Sequence, residues 1–210
     1  KWRIVEKIKR QSSEEDYYYR ILQGCLSQMD FGVKKLVSFI DLDQTVGTRA
    51  LNAALRVKQE LWYQGFDLII GNQTVGGFTP RNLKLFENNI DKLDFLGGLP
   101  SSDDDWDRHI DILFHVGRLT KKKIHVHVDQ LNTDEELETL MLANRTIEAK
   151  LQGMVVAVHA ISIACHERSV RRMIYERCHE AQLQFVSCPS AWIDHKRSER
   201  LSPTHNSMTP

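Results

Sequence analysis

Residues 123–132 read KIHVHVDQLN, and residues 154–163 repeat the plan as MVVAVHAISI. In each, a short run rich in β-branched residues leads to a histidine where the apolar character breaks off. That is the pattern of a strand buried on both faces that ends at a polar rim. Side chains alternate along a strand, so the first run places His125, His127 and Asp129 on one face, with His127 and Asp129 nearest its carboxyl end. As neighbouring parallel strands of a βα repeat, the two runs would raise His127 and His159 at the same rim, the edge on which such folds build their chemistry. Two neutral imidazoles side by side are half of a metal site.

Outward from this pair the same alternation of strand and helix continues. Residues 33–40 (VKKLVSFI) are a strand ending in Asp41 and Asp43, followed by a helix over about 47–63 with Leu51, Ala54, Leu55 and Leu61 inward. FDLII at 66–70 is a second strand, followed by the turn GNQTVGG and a helix that Pro80 can start. Residues 93–96 form a short third strand that runs into GGLP. Asp103 to Asp105 then bring negative charge to a helix start, which suits the macrodipole, ahead of Ile110, Leu113, Phe114 and Val116.

Beyond the fourth strand, Thr133 with Glu136 makes a capping-box pattern for a helix reaching about Lys150, and Gly153 releases the chain into the fifth strand. A helix over about 167–181 leads to a sixth strand, LQFVSC, stopped by Pro189. The first 29 residues, with three consecutive tyrosines, carry apolar residues at helical spacing and read as helix-rich packing material. Strand starts recur at roughly 30 residues, the size of one βαβ step, giving about six βα units within a single domain, 1–210. An open doubly wound sheet and a (β/α)8 barrel both produce that order. No GxGxxG follows the first strand to favour a dinucleotide fold, and a barrel typically takes about 250 residues, so the chain reads as short at both ends.

The formal charge is zero, from 28 basic and 28 acidic residues, so nothing marks a nucleic-acid or anionic-membrane partner. No apolar run approaches the ~20 residues that span a bilayer. Cys25, Cys165, Cys178 and Cys188 form no CxxC pair and follow no secretory segment, and read as reduced thiols of a cytoplasmic protein.

In order and spacing, the QTVGG loop with Gln73, HVDQLN with His127, VHAIS with His159 and VSCPSAWID around Cys188 resemble the cytosine-deaminase-like branch of the amidohydrolase superfamily. The resemblance covers nearly the whole chain. It implies a metal-dependent (β/α)8 TIM barrel holding one divalent ion, zinc or iron, between an HxH pair on strand 1, histidines on strands 5 and 6, and an aspartate on strand 8. The six units here would then be strands 2 to 7, with His127 the strand-5 ligand and His159 the strand-6 ligand. Taking His125 and His127 as the strand-1 HxH fails, because several βα units precede them. Gln73 would contact a small heterocyclic substrate, since an amide both donates and accepts. Gln130 occupies the catalytic position at which the deaminases carry a glutamate for proton transfer, a task an amide cannot perform.

The implied function is metal-dependent hydrolysis of a C–N bond in a small nitrogen heterocycle, with this chain an internal fragment inactive by itself. A different reading makes the chain a truncated, non-catalytic interaction module, a homo-oligomer joined through open sheet edges. The remaining histidines, His109, His115, His166, His179 and His195, lie on or beside helices and are expected to be solvated or to cap them. Arg168, Arg171 and Arg172 are expected on a solvated face. Cys165-His166-Glu167 suggests the HxE of nucleotide deaminases, but no PCxxC follows it.

Overall fold

Apolar runs broken by turn residues fold into six strands and seven α-helices in the computed structural model, which describes residues 2–189. His195, the tail 202–210 and the 190–194 end of the VSCPSAWID motif lie outside the described residues. The chain divides into two compact units between Gly97 and Gly98.

The first unit opens with helices α1 (Trp2–Gln11) and α2 (Glu14–Asp30). Ser13 separates them in a full capping box, its hydroxyl accepting from Asp16 N at 3.1 Å while the Asp16 carboxylate accepts from Ser13 N at 2.8 Å. Strands β1 (Lys35–Asp41) and β2 (Asp67–Gln73) pair in parallel from Lys35↔Asp67 to Asp41↔Gln73. Between them α3 (Arg49–Trp62) buries Leu51, Ala53, Ala54, Val57 and Leu61 completely, as the helical spacing of those residues requires. Helix α4 (Pro80–Glu87) starts with proline in its first turn, and the Thr79 hydroxyl accepts from Asn82 N at 3.3 Å.

Strand β3 (Leu96–Gly98) begins three residues later than the expected 93–96. Ahead of it Asp94 is tied to β2, its N–H donating to Ile70 O at 2.7 Å and its carboxylate accepting from Ile70 N at 2.7 Å and from Lys58 Nζ at 2.6 Å. The Asn72 amide fastens the end of β2 to Gly97, donating to Gly97 O at 2.8 Å and accepting from Gly97 N at 2.9 Å. A Cβ at Gly97 would overlap the Asn72 carbonyl oxygen, so glycine is what permits this approach.

In the second unit, α5 (Trp106–Thr120) is capped by Asp105, whose carboxylate accepts from Arg108 N at 2.9 Å. Strands β4 (Ile124–Val128), β5 (Val155–His159) and β6 (Gln184–Val186) run parallel in that order. Ile124, Val126, Val128, Val155 and Ala157 are all fully buried, as expected of strands covered on both faces. Helix α7 (Arg168–Glu180) packs Ile174 and Cys178 with Ala143, Ala160, Ile163 and Ala181.

Helix α6 (Glu138–Glu148) departs from the sequence pattern. The Thr133–Glu136 capping box does not form, and the helix starts at Glu138. Its cap comes from the end of β4, where Asp129 accepts from Glu138 N at 2.8 Å and Thr139 N at 3.3 Å while the Glu138 carboxylate accepts from Asp129 N at 2.9 Å. A buried carboxylate supplied from the preceding strand end outcompetes the local threonine.

Candidate active site

The two histidines meet. His127 Nδ1 lies 3.0 Å from His159 Nε2, with the ring centroids 5.1 Å apart. Strand register alone does not produce this contact: His127 pairs with Val158, and His159 with Val128. Paired residues of parallel strands share a face, so an unbroken pleat would put His159 on the opposite face from His127. His159 has φ 76° and Ala160 φ 51°, and this left-handed turn takes His159 out of the alternation.

Burial holds His127 neutral, pushing its pKa down to about 3, with the neighbouring imidazoles of His159 and His125 adding to the effect. His125, on the same strand, is pushed down to about 4 by burial and by Lys123. Neutral imidazoles are the form that binds a metal ion. In donor type the pair suits a divalent ion, which His127 and His159 would hold in part through their ring nitrogens. Their 3.0 Å separation suits an N–H···N hydrogen bond between the rings. Among the described residues, no third His, Cys, Asp or Glu joins them in a metal-holding group.

Asp129 does not share a face with His125 and His127. The backbone leaves the strand there with φ 50°, and the buried carboxylate turns to the start of α6. Its pKa is raised by burial, and that of Glu138 rises to about 7, again chiefly by burial, with Asp129 and Glu136 adding to it. Gln130 is half-buried, and its Nε2 donates to Ser101 Oγ at 3.2 Å. Gln73, in the first unit, is the last residue of β2 and not part of the turn that follows. The structure thus brings His127 and His159 together within the unit that also carries Gln130.

Two helix-associated histidines are not solvated. His109 is fully buried: its Nε2 accepts from Leu99 N at 3.2 Å and its Nδ1 donates to Asp103 at 2.9 Å. Burial lowers its pKa against the opposing pull of Asp103. His166 is buried and donates from Nε2 to Glu136 O at 2.8 Å. His115 and His179 are exposed, and so are Arg168 and Arg172. Ser101 belongs to no motif, Glu136 reads only as a helix cap and Ser162 only as the end of VHAIS, since each acts through a loop contact to a residue 26 or more positions away, or to a backbone group nearby.

No protein-family model matches the chain. Over 215 aligned residues it is 38% identical to an uncharacterized protein of Haemophilus influenzae, an alignment covering 100% of this chain and 78% of that protein. Among solved structures it is similar to 5-methylcytosine deaminase from Klebsiella pneumoniae. The complex with phosphonocytosine has TM-score 0.78 and 23% identity, over 88% of this chain and 46% of that one. The complex with 5-fluorocytosine has TM-score 0.80 and 22% identity, over 93% and 48%. N-isopropylammelide isopropylaminohydrolase from Burkholderia multivorans has TM-score 0.65 and 20% identity, over 73% and 40%. The chain spans just under half the length of the deaminase chains, and its fold is that of the corresponding part of them.

Proposed function

We propose, for a chain that belongs to the same family as the Haemophilus influenzae protein and folds as part of an amidohydrolase barrel, that the whole protein hydrolyses a C–N bond of a small nitrogen heterocycle with one divalent metal ion, zinc or iron. The observation that carries this reading is the contact of two strand-end histidines, the buried His127 and the half-buried His159, at 3.0 Å. Their neighbours by fold support the substrate class, since two of the structures hold cytosine derivatives.

An ion bound there would supply Lewis-acid activation of water at neutral pH. The chain's own residues would do the rest. His127 and His159 provide neutral nitrogen donors, kept so by burial in the case of His127. Gln130 stays uncharged, and its tie to Ser101 orients the amide. It can bind a substrate edge but cannot carry a proton, so the proposal favours substrates whose leaving nitrogen is protonated by another group, over cytosine itself.

The test is elemental analysis of the full natural protein and its His127→Ala variant, with turnover of cytosine, 5-methylcytosine and exocyclic N-alkyl heterocycles assayed in parallel. Bound metal and turnover of one of these compounds, both lost in the variant, are expected. Turnover unaffected by His127→Ala would sink the reading. A second reading, self-association through a strand edge, draws on β6, where Phe185 and Val186 are 39% and 38% exposed. A concentration-independent monomeric mass would exclude it. No described helix is long and apolar enough to cross a membrane.

A further inference from the structure

We propose that Ser162 and Glu136 are positioning residues that lock the loop after β5 to the loop after β4 and so hold His159 against His127, an inference that rests on reading that pair as metal ligands. The need for a lock comes from the backbone. His159 and Ala160 turn left-handed at φ 76° and 51°, and across from them Asp129 and Asn132 do so at 50° and 57°. Outside glycine such conformations are uncommon and persist only where their surroundings over-determine them. If the turn at His159 relaxed to extended backbone, the pleat would carry its ring away from His127.

Backbone contacts begin the fastening, with Ala160 N donating to Val128 O and Ile161 N to Asp129 O, each at 3.0 Å. Side chains complete it. Ser162, fully buried, donates its hydroxyl to Glu136 Oε2 at 2.5 Å and accepts from Thr133 N at 3.2 Å. The same Glu136 oxygen accepts from Leu131 N at 2.7 Å. One carboxylate oxygen therefore takes a hydrogen from each loop. The Glu136 carbonyl accepts from His166 Nε2 at 2.8 Å, and the Cys165 thiol donates to Asn132 Oδ1 at 3.2 Å, so the far end of the second loop is tied back as well. Glu136 does not cap α6, which is capped by Asp129, and this leaves its side chain to the loops.

The experiment uses the full natural protein and its Ser162→Ala, Ser162→Thr, Glu136→Ala, Glu136→Gln and His127→Ala variants. Long-range 1H–15N spectra of the metal-free protein read the imidazole tautomers, and Co2+ titration reads the affinity of the histidine pair. A 3.0 Å nitrogen–nitrogen contact needs one N–H and one lone pair, so the wild type should show one fixed tautomer on each ring. Ser162→Ala and Glu136→Ala should mix the tautomers and weaken Co2+ binding by about tenfold or more, the usual cost of losing support behind a ligand. Ser162→Thr and Glu136→Gln keep the hydroxyl and an acceptor oxygen, and should restore both readouts. Glu136 is only half-buried, so its alanine variant tests the lock even if Ser162→Ala fails to fold. Wild-type tautomers in a folded alanine variant would overturn the positioning role. Co2+ binding undiminished in His127→Ala would overturn the metal reading instead, and the tautomer spectra would still decide the lock.

Discussion

The ends of β2 and β5 solve the same problem, leaving a strand at its carboxyl end, in different ways. β2 keeps its register to the last residue, Gln73 opposite Asp41, and the left-handed turns that follow fall on Gly76 and Gly77 at φ 82° and 70°. Glycine adopts such angles at no steric cost. β5 turns left-handed at His159 and Ala160, residues with side chains, and depends on distant groups to stay there. The turn at the first end is set by its own glycines, whereas the turn at the second is set by contacts across two loops. The candidate chemistry lies at the second kind.

The comparison predicts that the regular end is sensitive to volume and the strained end to hydrogen bonding. The largest effect belongs to Gly97→Ala, whose new methyl group meets a backbone carbonyl that has no rotamer to yield. A loss of about 3 kcal/mol is expected from urea denaturation, at the upper end of overpacking. A loss below about 1 kcal/mol would mean that the β2–β3 approach is soft and the contrast false. Next comes Asp129→Ala, which leaves Glu138 N and Thr139 N without their cap and puts alanine at φ 50°. It should cost about 2 kcal/mol, with Asp129→Asn well below that, because asparagine keeps an acceptor and tolerates the left-handed region.

The same division explains what could be read in the sequence. The six strands, the helices between them and the starts of α4 and α5 follow from period, proline and aspartate, all of which act within a few residues. His127 and His159 were identifiable as strand-end histidines one βα unit apart. Their contact was expected for an incomplete reason: placing them at one rim overlooks the one-residue register offset that the turn at His159 corrects. The capping box at Thr133 was misread because Asp129, nine residues before Glu138, reaches α6 first. His109 and His166 looked like surface histidines because their partners, Asp103 with Leu99 N and the Glu136 carbonyl, are brought to them by loops whose course no local pattern reports.

A smaller effect, in pH, probes the cap from its other side. Burial raises the Glu138 pKa from 4.5 to about 7, so the folded state holds a proton that the unfolded chain has released. The associated stability is fully present below about pH 4.5 and is lost as pH rises through about 7. Glu138→Gln keeps an oxygen for Asp129 N and cannot ionise. Thermal melts from pH 4 to 8.5 should therefore show the variant gaining on the wild type as pH rises, with most of the change between about 5 and 8. A pH-independent difference would place Glu138 in water and the proton off it.

The smallest effects sharpen the meaning of strain itself. Lys121, exposed at the end of α5, is left-handed at φ 59°, while Ala160 is left-handed at 51° with its methyl buried among Ile163 and Ile174. Glycine at either place relieves about 1 kcal/mol of backbone cost and returns about half of it by loosening the unfolded chain. Lys121→Gly should thus gain about 0.5 kcal/mol. Ala160→Gly gives up a buried methyl worth about 0.8 kcal/mol and should end at or slightly below zero. The two changes are alike in backbone terms, so paired urea titrations isolate the packing that holds the rim in its turn. Equal gains at both positions would show that the rim holds its conformation without help from the core, and that the hydrogen-bonded lock alone keeps His159 in place.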